Sequence, residues 1–183
     1  MACIPIKIFS LKQGTLTIQS AQSKDAEELM PVILHTCEET DFLARGVDEF
    51  NMTLEDERRF IQEKLSSPRD FFLCARLNEV MVGTLGFNSN PLSRYRHKGT
   101  FGISILRDYW SLGIGRRMIE VMLEWADANG FIKISLEVDT LNSRAIHLYK
   151  SLGFREEGLL KMDRRLKNGE FRDSCLMARF NAY

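Results

Sequence analysis

The stretch Leu106-Arg107-Asp108-Tyr109-Trp110-Ser111-Leu112-Gly113-Ile114-Gly115-Arg116-Arg117 decides how this chain is read. The apolar run Phe101–Leu106 has the character of a strand, and it stops here. A turn follows, and two glycines stand where a helical pattern begins. Ile114, Met118, Val121, Met122, Trp125 and Ala126 recur at helical spacing, and Gly130 closes the helix. Glycine lets a backbone approach a ligand closely, and the free N–H groups of a helix start bind phosphate oxygens. Arg116 and Arg117 oppose the helix dipole in the first turn, which makes sense if an anion sits there. A dinucleotide fingerprint would need a third glycine where Met118 stands, and a Walker A loop would need Gly-Lys-Ser/Thr. Neither is present. A different phosphate cradle, or glycines that only permit close helix packing, are the readings left.

Working outward, Ile132–Val138 reads as a strand and Ser143–Leu152 as a short helix closed by Gly153. Arg155–Leu166 and Glu170–Phe180 read as two long strands around Lys167-Asn168-Gly169, a strong hairpin signal. Upstream, Phe71–Leu77 and Val80–Phe87 pair across Asn78-Glu79, and residues 88–98 form a loop carrying Arg94, Arg96, His97 and Lys98. Ser23 is the expected cap of a first helix carrying Ala26, Leu29, Val32, Ile33 and Thr36. Thr53 caps a second helix with Phe60, Ile61 and Leu65 on its apolar face, ended by Ser66-Ser67-Pro68. Residues 4–11 form a hairpin with Leu16–Gln19 across Gln13-Gly14. The order β α α β β β α β α β β predicts an α/β (mixed α+β) fold, a mixed sheet with helices on its faces. One domain is expected over residues 1–183, with its core at 15–180 and residues 1–14 as an N-terminal strand extension.

Two motifs carry a resemblance. Trp110-Ser111-Leu112-Gly113-Ile114-Gly115 is similar to the pyrophosphate motif Q/R-x-x-G-x-G/A of the GNAT superfamily of acyl-CoA-dependent N-acyltransferases, with Trp110 in place of the usual Gln or Arg. Asn142, Ala145, Tyr149, Gly153 and Phe154 match that family's N-x-x-A-x-x-x-Y-x-x-x-G-F segment. The Tyr109-Trp110-x-x-Gly-Ile-Gly variant resembles the ribosomal-protein and spermidine acetyltransferase branch. The likeness spans about residues 15–180. It implies a mostly antiparallel sheet splayed between its fourth and fifth strands, with the pantetheine of acetyl-CoA lying between them as an extra strand. Ile105, Leu106 and Arg107 would hold that arm, and an N–H near Ile105 would face the thioester oxygen. Ser111, Leu112, Gly113, Ile114, Gly115 and Arg116 would take the pyrophosphate. Asn142 would hydrogen-bond the cofactor arm, Ala145 would pack against it, and Tyr149 would face the sulfur as the acid. The fourth strand has no carboxylate, so Glu137 or Asp139 on the fifth is the nearest base, or proximity alone carries the rate.

The chain has 183 residues, with 25 Lys and Arg against 25 Asp and Glu. This neutrality argues against a polyanion binder, and no nucleic-acid motif is present. The zero is a sum, however. Residues 1–91 hold 9 bases and 14 acids, and residues 92–183 hold 16 bases and 11 acids. The acids concentrate at Glu38, Glu39, Asp41, Asp48, Glu49, Glu55, Asp56 and Glu57, with Arg45 as the lone base among them. In the fold that the resemblance implies, the segment between the first two helices lines the acceptor side, and Glu38, Glu39 and Asp41, at a helix end that disfavours acids, are the expected acceptor-binding carboxylates. Glu55, Asp56 and Glu57 fit ordinary solvated acids of a first helical turn. No apolar run reaches membrane length, and Met1–Gly14 lacks a signal-peptide core. Cys3, Cys37, Cys74 and Cys175 form no metal spacing and read as thiols of a reducing cytoplasm. The expected activity is transfer of an acetyl group to a primary amine, without a metal and without an acyl-enzyme. The acceptor reads as a small cationic amine or, alternatively, a protein N-terminus. A non-catalytic acyl-CoA sensor is the rival. The final hairpin would narrow the acceptor cleft or build a homodimer.

Overall fold

The computed structural model describes residues 2–181. It divides into two compact units: residues up to Asn88 with Gly102–Trp125, and Ser89–Phe101 with the chain from Ala126 onward.

In the first unit, β1 (Lys7–Leu11), β2 (Gly14–Ser20), β3 (Phe71–Leu77) and β4 (Val80–Ser89) are neighbours in that order, each pair of β1–β2, β2–β3 and β3–β4 antiparallel. Asn78 and Glu79 both take positive φ, 48° and 68°, which turns the β3–β4 hairpin. Asn78 also joins the two hairpin turns. Its Oδ1 accepts from the Thr15 N–H at 2.9 Å and its Nδ2 donates to the Gln13 carbonyl at 3.0 Å. Helices α1 (Ala26–Glu38) and α2 (Leu54–Ser66) connect β2 to β3. Thr53 caps α2 as expected: its Oγ1 accepts from the Asp56 N–H at 3.2 Å, and Asp56 accepts from the Thr53 N–H at 3.1 Å. Ser23 does not cap α1. A 3₁₀ turn, Ser23–Asp25, leads into the helix, and buried Asp25 accepts from the Gln22 N–H at 2.8 Å and from Arg76 at 3.1 Å. Asp25 stands at the N-cap position of α1, but its carboxylate is taken by Gln22 and Arg76 and makes no cap bond to the helix. The core gathers Leu16, Ile18, Leu29, Ile61, Phe71, Leu73, Leu85 and Phe87. Trp125, on α3 (Ile114–Ala128), meets the rings of Phe71 and Phe87 edge-on at 4.9 and 5.8 Å.

The second unit orders its strands β5-β6-β8-β7, with β5 (Lys98–Ile105) shared with the first unit from Gly102 on. Strand β5 begins three residues earlier than the apolar run suggests. The Ile132 and Lys133 N–H groups both donate to the His97 carbonyl, at 2.9 and 3.1 Å, and this anchors the strand at Lys98. β5 and β6 (Lys133–Asp139) pair in parallel from Lys98↔Lys133 to Thr100↔Ser135. Both strands run on past this register. Helix α4 (Ser143–Ser151) then carries the chain to the edge strand β7 (Arg155–Arg165), and β8 (Phe171–Phe180) returns between β7 and β6, antiparallel to both. β7 is irregular at Met162, where φ is 52° and the N–H donates to Asp173 at 2.8 Å. The eight strands are thus mostly antiparallel.

Candidate active site

The first unit contains the strand end and the glycine turn. Leu106 closes the ladder to β4, its N–H donating to the Val82 carbonyl at 2.9 Å. A 3₁₀ turn, Arg107–Tyr109, follows, and it is held shut by Trp110, whose indole N–H donates back to the Ile105 carbonyl at 2.7 Å. The Arg107 guanidinium lies 5.7 Å from that indole ring. The substitution of Trp for Gln or Arg therefore has a local purpose: the side chain clasps its own loop. Ser111 and Gly113 both take positive φ, 63° and 87°, and α3 starts at Ile114. A Cβ on Gly113 would meet nothing within 4 Å, so glycine is required there by the backbone angle, and the space beside it is open. At Gly83 on β4 the reason is different. A Cβ there would lie 2.7 Å from the Ser104 carbonyl oxygen, so glycine lets β4 close against the end of β5. Arg117 is committed elsewhere: it pairs with Glu120 at 2.8 Å and stacks on Phe9 at 5.3 Å. Arg116 lies 3.8 Å from the same carboxylate. Glu120 thus explains part of the first-turn charge that the sequence attributed to an anion.

The acidic segment reaches this loop. Glu39 follows α1 directly, and its Oε2 accepts from the Arg107 N–H at 2.8 Å. The sequence assigned Arg107 to the cofactor arm and Glu39 to the acceptor, and the structure joins the two. Glu38 is exposed and lies 3.4 Å from His35, and Asp41 is exposed. Glu57 departs from the expectation of a solvated acid. It is 2% exposed, its Oε1 has no hydrogen-bond partner among the described residues, and burial raises its pKa. The signal was present in the spacing. Glu57 falls on the face of α2 that carries Leu54 and Ile61, three residues before it and four after.

In the second unit, Asn142 caps α4, its Oδ1 accepting from the Ala145 N–H at 3.2 Å. Tyr149 is buried, packed edge-on against Phe101 and Phe154 with ring centroids 5.9 Å apart in both pairs. That burial raises its pKa to about 12. Glu137 is exposed on β6, between buried Leu136 and Val138. Asp139, the other acid named for the base, is buried and fully engaged: Arg164 donates to one oxygen, and the Leu141 N–H donates to the other at 2.8 Å. Its carboxylate shapes the turn into α4, with both oxygens engaged. A cleft of about 460 Å³ between α4 and the final hairpin is lined by Thr140, Ile146, Glu156, Gly158, Leu159 and Cys175. None of the expected catalytic, cofactor-binding or acceptor-binding residues lines it.

A strand end, a clasped turn and a glycine-led helix present backbone N–H groups of the kind that suit phosphate oxygens. Residues 34–154 match the family model described as "Acetyltransferase (GNAT) family", and the chain belongs to that family. It is 34% identical over 122 residues to mycothiol acetyltransferase of Acidothermus cellulolyticus, covering 61% of this chain and 37% of that protein. It is 29% identical over 107 residues to the N-alpha-acetyltransferase RimI of Mycobacterium tuberculosis, covering 58% of this chain and 66% of that enzyme. The chain therefore spans less than two thirds of the length of these relatives. Its fold superposes on the acetyltransferase of GNAT family from Streptococcus pneumoniae with a TM-score of 0.86 and 34% identity, over 91% of this chain and 99% of that one.

Proposed function

We propose that the protein transfers the acetyl group of acetyl-CoA to a primary amine by direct attack, and that the acceptor is a small cationic amine. The observation that carries this reading is the clasped loop Ile105–Ile114, with open space at Gly113 and the N-terminus of α3 directly behind it. Backbone N–H groups of that turn bind the pyrophosphate, and the end of β5 holds the pantetheine. With a pKa of about 12, Tyr149 is a neutral donor throughout the working range. Full transfer of its proton to a thiolate of pKa ~8.5 is uphill, so its contribution is a hydrogen bond to charge building on sulfur. The acids around Glu38, Glu39 and Asp41 raise the local concentration of a cationic acceptor. The four free thiols fit a cytoplasmic setting. Among the described residues no helix is long and apolar enough to cross a membrane. The edge strand β7, with Leu159 and Met162 exposed, is the face on which a homodimer would form.

The likeness to RimI supports a second acceptor class, a protein N-terminus. One experiment separates the readings. Thiol release from acetyl-CoA is followed with a panel of diamines, monoamines and N-terminal peptides. Turnover with diamines at low KM supports the first reading, and turnover with peptides alone replaces it with the second. A rise in Tm with acetyl-CoA and no turnover with any amine leaves a binding module.

A further inference from the structure

Attack on a thioester needs a neutral amine, and an alkylamine with a pKa of ~10.4 arrives protonated. A base speeds that step; of the acids first named for it, Asp139 has both oxygens engaged and Glu137 stands exposed on β6. The end of β5 brings a different carboxylate to hand. Glu39 has one oxygen fixed by the Arg107 N–H at 2.8 Å, in the turn directly after the strand. Its other oxygen, Oε1, lies 3.4 Å from His35 Nε2, one helical turn back on α1. The Glu39 side chain is 15% exposed and that of His35 is 60% exposed, so the pair runs from the strand end out to water. The opposite ring nitrogen of His35 lies 3.4 Å from Glu38 Oε2, which orients the ring.

We propose that Glu39 is the catalytic base of this protein and that His35 carries the proton from it to solvent. The inference rests on the acetyltransferase reading above. In the step, the ammonium of the acceptor gives a proton to Glu39 Oε1, and the freed lone pair attacks the thioester carbonyl carbon. The C–N bond forms and the C–S bond breaks, with the electron pair leaving on sulfur. Glu39 passes its proton to His35 Nε2, and His35 releases one to water from Nδ1. The nitrogen, cationic after attack, loses its second proton to water as the adduct collapses, the thiolate recovers one from solvent, and the sum is amide, free thiol and one proton released. Meanwhile the Arg107 N–H holds the carboxylate against the strand end.

The test uses the basicity of the acceptor. A diaminoalkane must be deprotonated before attack, whereas semicarbazide is neutral at the assay pH and needs no base. Glu39→Gln keeps an oxygen for the Arg107 N–H and removes the basic group. The variant is expected to lose about 10²-fold in kcat with the diamine, to keep its rate with semicarbazide within about twofold, and to leave the KM for acetyl-CoA unchanged. His35→Gln, at an exposed site that leaves folding intact, is expected to show the same selective loss, smaller in size. Equal losses with both acceptors would mean that Glu39 only positions the loop, and unchanged rates would place the base elsewhere. Either result overturns the relay and leaves the acetyltransferase reading standing. A wild-type protein that releases no thiol with any amine overturns both.

Discussion

At Tyr149 burial works against ionisation, and this fixes a sign. The phenol is the acid form below its pKa of about 12, so its donation is present at neutral pH and is lost only as pH rises through that value. The pH–rate profile of the wild type should therefore show no alkaline limb from this residue below pH ~11. Tyr149→Phe is expected to lower kcat by about 10²-fold without moving the acidic side of the profile, as thiol release at several pH values would show. Glu57 shows the same physics with the opposite cost. Its carboxyl pKa is raised by burial, so the folded state holds that proton more tightly than the unfolded chain. Stability is greatest below the unfolded pKa and declines as pH climbs through the raised folded one. Glu57→Gln removes the penalty, and the variant should gain about 1 kcal/mol at neutral pH and lose part of its pH slope, readable by calorimetry. An unchanged Tm would mean that the burial carries no charge penalty. Residues of this kind are only half legible in sequence. The Leu54–Glu57–Ile61 spacing shows which face of α2 Glu57 lies on. The contact between Glu39 and Arg107 joins positions 68 residues apart, and no local pattern announces it.

Among the elements, those with their own local chemistry were the readable ones. Thr53, Asn78-Glu79 and Asn168-Gly169 announce a cap and two hairpins because the hydrogen bonds involved lie within a few residues. The start of β5 was not readable. Lys98-Gly99-Thr100 has no apolar alternation, and it is strand because the His97 carbonyl and β6 make it so. The start of α1 is set in a similar way, since Arg76 on β3 decides where Asp25 sits. Two predictions belong here. Gly83→Ala places a Cβ against the Ser104 carbonyl oxygen, and the strain should cost about 1–3 kcal/mol and weaken acetyl-CoA binding by displacing the end of β5. Calorimetry and a binding isotherm on the same variant would show the two effects together. Asn142→Ala removes the α4 cap and should cost about 1 kcal/mol, with the melting curve as the measure.

For the whole chain, zero net charge conceals an acidic first half and a basic second half, a net of −5 and +5. Long-range attraction between exposed charges fades beyond a Debye length of ~10 Å at 0.1 M salt. The KM for a dicationic acceptor should thus rise several-fold between about 50 mM and 500 mM salt, while that of a neutral amine stays level. Equal responses would remove the acidic segment from acceptor capture. The clasp at Trp110 has a different consequence. The chain has two tryptophans, and Trp125 packs edge-on against Phe71 and Phe87. Trp110 is the one whose indole N–H is tied to the loop and whose ring faces the Arg107 cation. Its emission colour and intensity depend on that bond and that charge. The protein therefore contains an intrinsic optical gauge at the loop, and titrating acetyl-CoA while watching fluorescence should follow occupancy without any added label.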